Sequence, residues 1–258
     1  SRFSAVIFTC VEMLTRPSRD DRHMTDGFRF RQFSVRHDRC AMKVGTDGVL
    51  LGAWAPGGRS ILDIGTGTGL IALMMAQRFP EAHVTGIDID GDAALQAREN
   101  AADSPFGPRI EVAHSSLAGF VAAASPPLSF DSIVCNPPFF LHSLKNPDAR
   151  RSVARHADSL PFADLFRGVA ALLAPSGVFS AIVPAEVFEA FTAEASIAGL
   201  FVSRLTRVRT TPRKPPKRSL VAFSRLRPDT LAEEECVMSR ADGSRSEWYR
   251  GLTAEFYL

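Results

Sequence analysis

The chain is predicted to fold as an α/β domain: a seven-stranded mixed sheet with helices on both faces, preceded by a short N-terminal hairpin and helix. Three observations predict it. From Ser60 onward, short apolar runs of strand length alternate with longer segments whose apolar residues recur at helical spacing. Gly65, Gly67 and Gly69 form a glycine-rich turn between the first such strand and the first such helix. The last two strand-like runs are joined by a proline-rich loop too short for a crossover helix, so this final pair is antiparallel while the rest is parallel.

The elements follow in order. Residues 3–14, "FSAVIFTCVEML", are apolar but interrupted by Glu12, and too short to span a bilayer. A signal-peptide reading is weak because no small-residue cleavage site follows. Residues 1–27 are therefore expected to be a poorly ordered leader, with Met24 as a natural start, and residues 28–258 a single domain. "FRFRQFSVRHD" places Phe28, Phe30, Phe33 and Val35 in alternation and predicts a hairpin. "TDGVLLGAWA" predicts a helix capped by Thr46. "SILDIG" is a buried strand, and "TGLIALMMAQRFP" a helix that Pro80 ends. "HVTGIDI" is a strand, "GDAALQARENAAD" a helix, and "RIEVAHS" and "FDSIVCN" the third and fourth strands. "PFADLFRGVAALL" is a helix with Pro161 in its first turn. "GVFSAIVP" is a strand, and "AEVFEAFTAEASIAG" a helix closed by Gly199. "LFVSRLTRVR" and "SLVAFSRL" form the closing pair.

Composition excludes several classes. With 258 residues, 45% hydrophobic and 22% charged, the chain can bury a sizeable core and is neither disordered nor fibrous. Cys10, Cys40, Cys135 and Cys236 contain no C-x-x-C pair and the six histidines no H-x-x-x-H spacing, so no metal site is expected. Reduced thiols and a cytoplasmic setting are the default. Net charge is only +2, but residues 201–228 hold nine Lys or Arg and no acid: Arg204, Arg207, Arg209, Arg213, Lys214, Lys217, Arg218, Arg225 and Arg227. Such a run attracts phosphate or is simply a solvated loop around Pro212, Pro215 and Pro216.

"LDIGTGTGL" lacks the G-x-G-x-x-G spacing of dinucleotide-binding loops, because the sixth position counted from Gly65 is Leu70. It carries Asp63 two residues before the first glycine instead. An acid there repels a pyrophosphate but welcomes an ammonium group. The backbone N–H groups of Gly65, Thr66 and Gly67 can approach a carboxylate of the same molecule. Asp88, followed by Ile89, ends the second strand, where a carboxylate accepts both hydroxyls of a ribose. An amino-acid head and a ribose on one ligand describe S-adenosylmethionine. Ser115 and Ser116 end the third strand, near the expected adenine, where their hydroxyls either meet its polar edge or merely face solvent.

"NPPF", residues 136–139, ends the fourth strand beside the expected methyl group. Both prolines fix φ, and Pro138 keeps Pro137 out of the helical region, so the turn is stiff. It can hold the Asn136 amide oxygen and the Pro137 carbonyl as two acceptors facing one exocyclic NH2. Phe139 offers a ring for a planar base to stack on, worth about 1–3 kcal/mol.

With "LDIGTGTG" before it, "NPPF" resembles the amino-methyltransferases of the class I, Rossmann-like, S-adenosylmethionine-dependent fold. From "FRFRQFSVRHDRCAMKVGTDGVLLGAW" to "WYRGLTAEFYL" the chain is similar to one branch, the tRNA1(Val) adenine-37 N6-methyltransferases. The resemblance implies methyl transfer to adenine N6 of a tRNA by an enzyme needing no metal, with the monomer favoured. It implies that Lys43, Thr46 and Asp47 lie over the cofactor, residues 28–58 forming a lid on the core of residues 59–258; an ordinary helix start accounts for the same residues. It also implies that Arg213, Lys214, Lys217 and Arg218 contact RNA, and that Arg150, Arg151, Arg155 and His156 add contacts at the substrate mouth. Ser116 stands where the branch carries an acid. Two rival readings share these motifs: a protein glutamine N5-methyltransferase, whose helical substrate domain has little room before the first strand here, and a non-catalytic binding module, which would have no use for the NPPF turn.

Overall fold

A computed structural model describes residues 27–39, 44–124, 128–138 and 160–257. Residues 1–26 of the expected leader, Lys43, Phe139, Arg150, Arg151, Arg155 and His156 lie outside the described residues, while Gly27 already belongs to the hairpin. Strands β1 (Gly27–Arg29) and β2 (Ser34–Arg36) form the antiparallel hairpin, followed by α1 (Thr46–Trp54). The core unit then runs β3 (Ser60–Ile64), α2 (Leu70–Arg78), β4 (His83–Asp88), α3 (Gly91–Ala102), β5 (Ile110–His114), α4 (Leu117–Ala123) and β6 (Phe130–Cys135). It continues with α5 (Phe162–Leu172), β7 (Leu173–Pro184), α6 (Phe188–Ile197), β8 (Phe201–Arg209), β9 (Arg218–Ser224), β10 (Ala232–Val237) and α7 (Glu247–Thr253).

Among the described residues the main sheet has eight strands in the order β10-β8-β9-β7-β6-β3-β4-β5, and of these only β9 runs against the others. The expected count of seven is corrected by β10, which pairs in parallel with β8. "AEEECV" shows no apolar alternation; its ladder to β8 is accompanied by a row of ion pairs. Arg204, Arg207 and Arg209 of β8 pair with Glu234, Glu233 and Glu235 at 3.5, 2.8 and 2.5 Å. The short α4 and α7 also escape the periodicity argument, because α4 buries Leu117 alone and α7 only Tyr249 and Thr253. Thr46 is not the cap of α1: Gly45 takes that position without a side-chain bond, and Thr46 is the first helical residue. Pro161 likewise caps α5 rather than entering it.

Strand alternation splits the core into two layers. Ile61 faces α1, α2 and the hairpin, where Phe30, Phe33, Trp54, Met74, Met75 and Phe256 are buried together. Leu62 and Ile64 face the other layer, with Phe166, Phe179, Phe191 and Phe223. Those four rings meet at 4.8–5.8 Å, mostly edge to face, which adds roughly 0.5–1.5 kcal/mol per pair beyond burial. The opening and closing segments of the described chain meet on the first layer: Arg31 N–H donates to Phe256 O at 2.9 Å. Phe30 stacks on Tyr257 at 6.0 Å.

Candidate active site

The chain leaves β3 for β4 and β5 on one side and returns to β6 on the other, so a crevice opens between the carboxyl ends of β3 and β6. Register places the sequence motifs along that edge. Ile64 pairs with Ile87 and with Cys135, and Asp88 pairs with His114. Asn136, Gly65, Asp88 and Ser115 therefore emerge at or next to the ends of four neighbouring strands. Distant stretches of sequence converge here because each follows a parallel strand.

The glycine turn is held from within. Gly65, Gly67 and Gly69 have φ of 68°, 55° and 80°, a region that side chains disfavour. A Cβ added at Gly65 or Gly67 would meet nothing within 4 Å, so that face of the loop is open space. Asp63 Oδ2 accepts from the Thr66 hydroxyl at 2.7 Å and from Ala72 N–H at 3.2 Å, tying the loop to α2. Asp63 is fully buried, and its Oδ1 has no hydrogen-bond partner. Burial pushes its carboxyl up to about 7, against the lowering by those two hydrogen bonds. Gly67 N–H donates to Asp88 Oδ2 at 2.8 Å, and Asp90 N–H to Asp88 Oδ1 at 2.9 Å, which fixes the second carboxylate at the lip. Next to it, Ile89 is 56% exposed, an apolar surface placed in water at the crevice.

Ser115 and Ser116 are at the edge, but their hydroxyls are engaged locally. Ser115 Oγ donates to Ser116 O at 3.0 Å, and Ser116 Oγ caps α4 by accepting from Gly119 N–H at 3.1 Å. Asn136 is half-buried, Pro137 buried and Pro138 exposed. Burial pushes the Cys135 thiol far up, with Asp63 and Asp88 adding to the shift, so it supplies no thiolate. Sequence reasoning missed Asn100, which is 1% exposed. Its amide donates to Arg36 O and Thr68 O, both at 2.8 Å, and accepts from Arg36 N–H at 3.0 Å, clamping the hairpin strand to the glycine turn. A lone asparagine on the buried face of a helix was the available signal.

The basic run divides on inspection. Arg204, Arg207 and Arg209 are paired with glutamates, and Arg225 donates to Ala170 O and Leu173 O at 2.6 and 2.9 Å. Arg227 lies over the Phe201 ring at 5.2 Å, and Arg218 donates to Asp47. Arg213, Lys214 and Lys217 remain exposed on the loop between β8 and β9. Because β8 runs parallel to β3, this loop projects from the same carboxyl edge as Asn136. A cavity of about 580 Å³ lies elsewhere, between the hairpin and the Asn100–Asp103 end of α3. Among the described residues no cluster of histidine, cysteine or carboxylate could hold a metal, and no helix is long and apolar enough to cross a membrane.

Comparison with known proteins bears on this edge. The family described as Methyltransferase small domain matches residues 45–160, which include the glycine turn, Asp88 and NPPF. A tRNA1(Val) (adenine(37)-N6)-methyltransferase of Bacteroides fragilis is 49% identical over 233 residues, 90% of this chain and 97% of the relative. The chain belongs to the tRNA1(Val) (adenine(37)-N6)-methyltransferase family. Members from Phocaeicola vulgatus and Pseudoalteromonas translucida are 50% and 42% identical over 90% of this chain. Among solved structures, a predicted O-methyltransferase of Agrobacterium tumefaciens superimposes with a TM-score of 0.60 at 24% identity, covering 81% of this chain and 96% of its own, which shows the shared fold.

Proposed function

We propose that this family member transfers a methyl group from S-adenosylmethionine to the exocyclic N6 of an unpaired adenine in tRNA, at position 37 of tRNA1(Val) as the relatives' name states. One observation carries the reading: the sheet register sets the glycine turn, Asp88 and Asn136 side by side on one edge, with the basic loop above it. The residues fit the cofactor. The N–H groups of Gly65 and Thr66 donate to Ile87 O at 2.9 and 3.0 Å and that of Gly67 to Asp88, so what the turn offers the cofactor's amino-acid head is the open space over Gly65 and Gly67. Asp88 keeps free lone pairs for ribose hydroxyls, and exposed Ile89 suits the flat face of its adenine. The orphaned Asp63 Oδ1 marks a carboxylate to which an ammonium group adds stabilisation, while Thr46 opens α1 next to Asp47, which accepts from Arg218. When bound, the cofactor supplies an electrophilic methyl group.

The protein's own residues then address a weak nucleophile. The N6 lone pair of adenine is delocalised into the ring. Asn136 Oδ1 and the Pro137 carbonyl accept the two N6 protons and favour a pyramidal nitrogen, freeing the lone pair without a strong base. The stiff proline turn holds these acceptors in place, so no reorganisation is needed during reaction. An anticodon-loop base is already unpaired, and its extrusion costs little. The test is mass spectrometry of nucleosides from tRNA incubated with the protein and isotope-labelled cofactor. Labelled N6-methyladenosine is expected; label in protein glutamine, or none in tRNA, overturns the proposal.

A further inference from the structure

We infer that the Asp47–Arg218 ion pair is a positioning device that locks the glycine turn to the foot of the basic loop, so that both substrates are held in one frame. This rests on the functional reading above. Asp47 lies in the first turn of α1, and Arg218 is the first residue of β9, 171 positions away in sequence. Arg218 Nε donates to Asp47 Oδ1. With side chains 29% and 33% exposed, this is the most sheltered ion pair among the described residues. The other arginine–acid pairs reported between strands, at 30–46% exposure, stitch one strand to the next. This one joins separate functional segments.

Each end of the pair is anchored differently. On the Asp47 side, α1 packs so closely on α2 that a Cβ on Gly48 would lie 3.1 Å from Leu70 Cδ2, and one on Gly52 would lie 2.8 Å from Met74 Sδ. Leu70 opens α2 directly after Gly69, so displacement of the Asp47 turn is passed to the glycine turn. On the Arg218 side, the residue pairs with Pro184 of β7 and Val208 of β8 at the carboxyl edge, with β7 alone between its strand and the one that Asn136 follows. It follows Lys217, whose N–H donates to Val208 O at 2.9 Å and whose carbonyl accepts from Ala185 N–H at 3.1 Å. The base of the tRNA-facing loop is thus pinned to the catalytic edge, and the ion pair ties that base to the cofactor side. Arg218 is then a strut, not a phosphate ligand, which leaves Arg213, Lys214 and Lys217 to meet RNA.

Near-attack alignment is sensitive to such a strut, since a misplacement of about 1 Å can cost around 100-fold in rate. The test compares Asp47→Asn, Arg218→Gln and the charge-exchanged double variant Asp47→Arg/Arg218→Asp with the parent, each checked for an unchanged fold by circular dichroism. Single-turnover methyl transfer at saturating tRNA and cofactor should fall roughly 10- to 100-fold in each single variant and recover at least several-fold in the exchange. Dissociation constants for cofactor and for tRNA should each stay within about threefold. A second readout needs no turnover: cofactor binding should slow amide exchange at Thr210, Thr211, Arg213 and Lys214 in the parent and not in Arg218→Gln. Unchanged single-turnover rates overturn the inference. So does a pure loss of tRNA affinity in Arg218→Gln with a shallower salt dependence, which would make Arg218 a phosphate ligand. A pure loss of cofactor affinity in Asp47→Asn, unrelieved by exchange, would make Asp47 a cofactor ligand and also overturn it. If the parent itself fails to methylate tRNA, the functional reading falls, while the exchange measurement still decides the coupling.

Discussion

Replacing Arg213, Lys214 and Lys217 together with serine isolates the electrostatic share of tRNA binding. The structure sets the magnitude. Of nine cations in residues 201–228, the other six are committed: four to carboxylates, Arg225 to helix-end carbonyls and Arg227 to an aromatic face. Three exposed charges remain to displace counterions from RNA. Each phosphate contact adds about 0.7 to the slope of log K against log salt on a single strand and about 0.9 on a duplex. The triple variant should therefore lose about 2.1–2.7 from the parent slope. The parent's advantage over it should shrink about 20- to 40-fold between 50 and 200 mM salt. The assay is a filter-binding or anisotropy titration of tRNA across that range, with cofactor affinity measured alongside as a control. Arg207→Ser, which removes a cation already paired with Glu233, should change the slope by far less than one contact. An unaltered slope in the triple variant, or an equal loss in Arg207→Ser, refutes the division of the basic run.

Three further outcomes are expected. Asp88→Ala removes the acceptor at the lip and the partner of Gly67 N–H, and should weaken cofactor binding by about 2–3 kcal/mol in calorimetry. Asn136→Ala should lower single-turnover methyl transfer about 100-fold or more while changing cofactor affinity less than tenfold, because the lost bond matters most as the nitrogen pyramidalises. Asp63 gives a pH dependence: its folded carboxyl is raised from 3.8 to about 7, so the folded state keeps a proton that the unfolded chain releases. This contribution is whole below about pH 4 and is lost as pH rises through about 7, at up to roughly 1.4 kcal/mol per pH unit. Denaturant titrations should show the parent losing stability relative to Asp63→Asn across that window; a constant difference between the two refutes it.

Much of this fold is determined by local sequence. Apolar periodicity marks the strands and helices around the central crevice, and Gly65, Gly67 and Gly69 announce a turn whose positive φ no other residue type adopts cheaply. NPPF is legible for the same reason, since proline fixes its own φ and constrains its neighbour. Tertiary structure alone decided what depended on pairing between distant charges and polar groups. Strand β10 is polar along most of its length, and its partners, the β8 ladder with Arg204, Arg207 and Arg209 opposite its glutamates, are far from it in local sequence pattern. Arg218 is indistinguishable from Arg213 as a letter in a basic run until Asp47 arrives beside it. That Ser116 caps α4 is likewise seen only in the folded chain. A hydrophobic pattern is written within a few consecutive residues and survives reading in one dimension. An ion pair across 171 positions, a helix cap or the Asn100 clamp takes its meaning from the group it meets, and only the folded chain brings the two together.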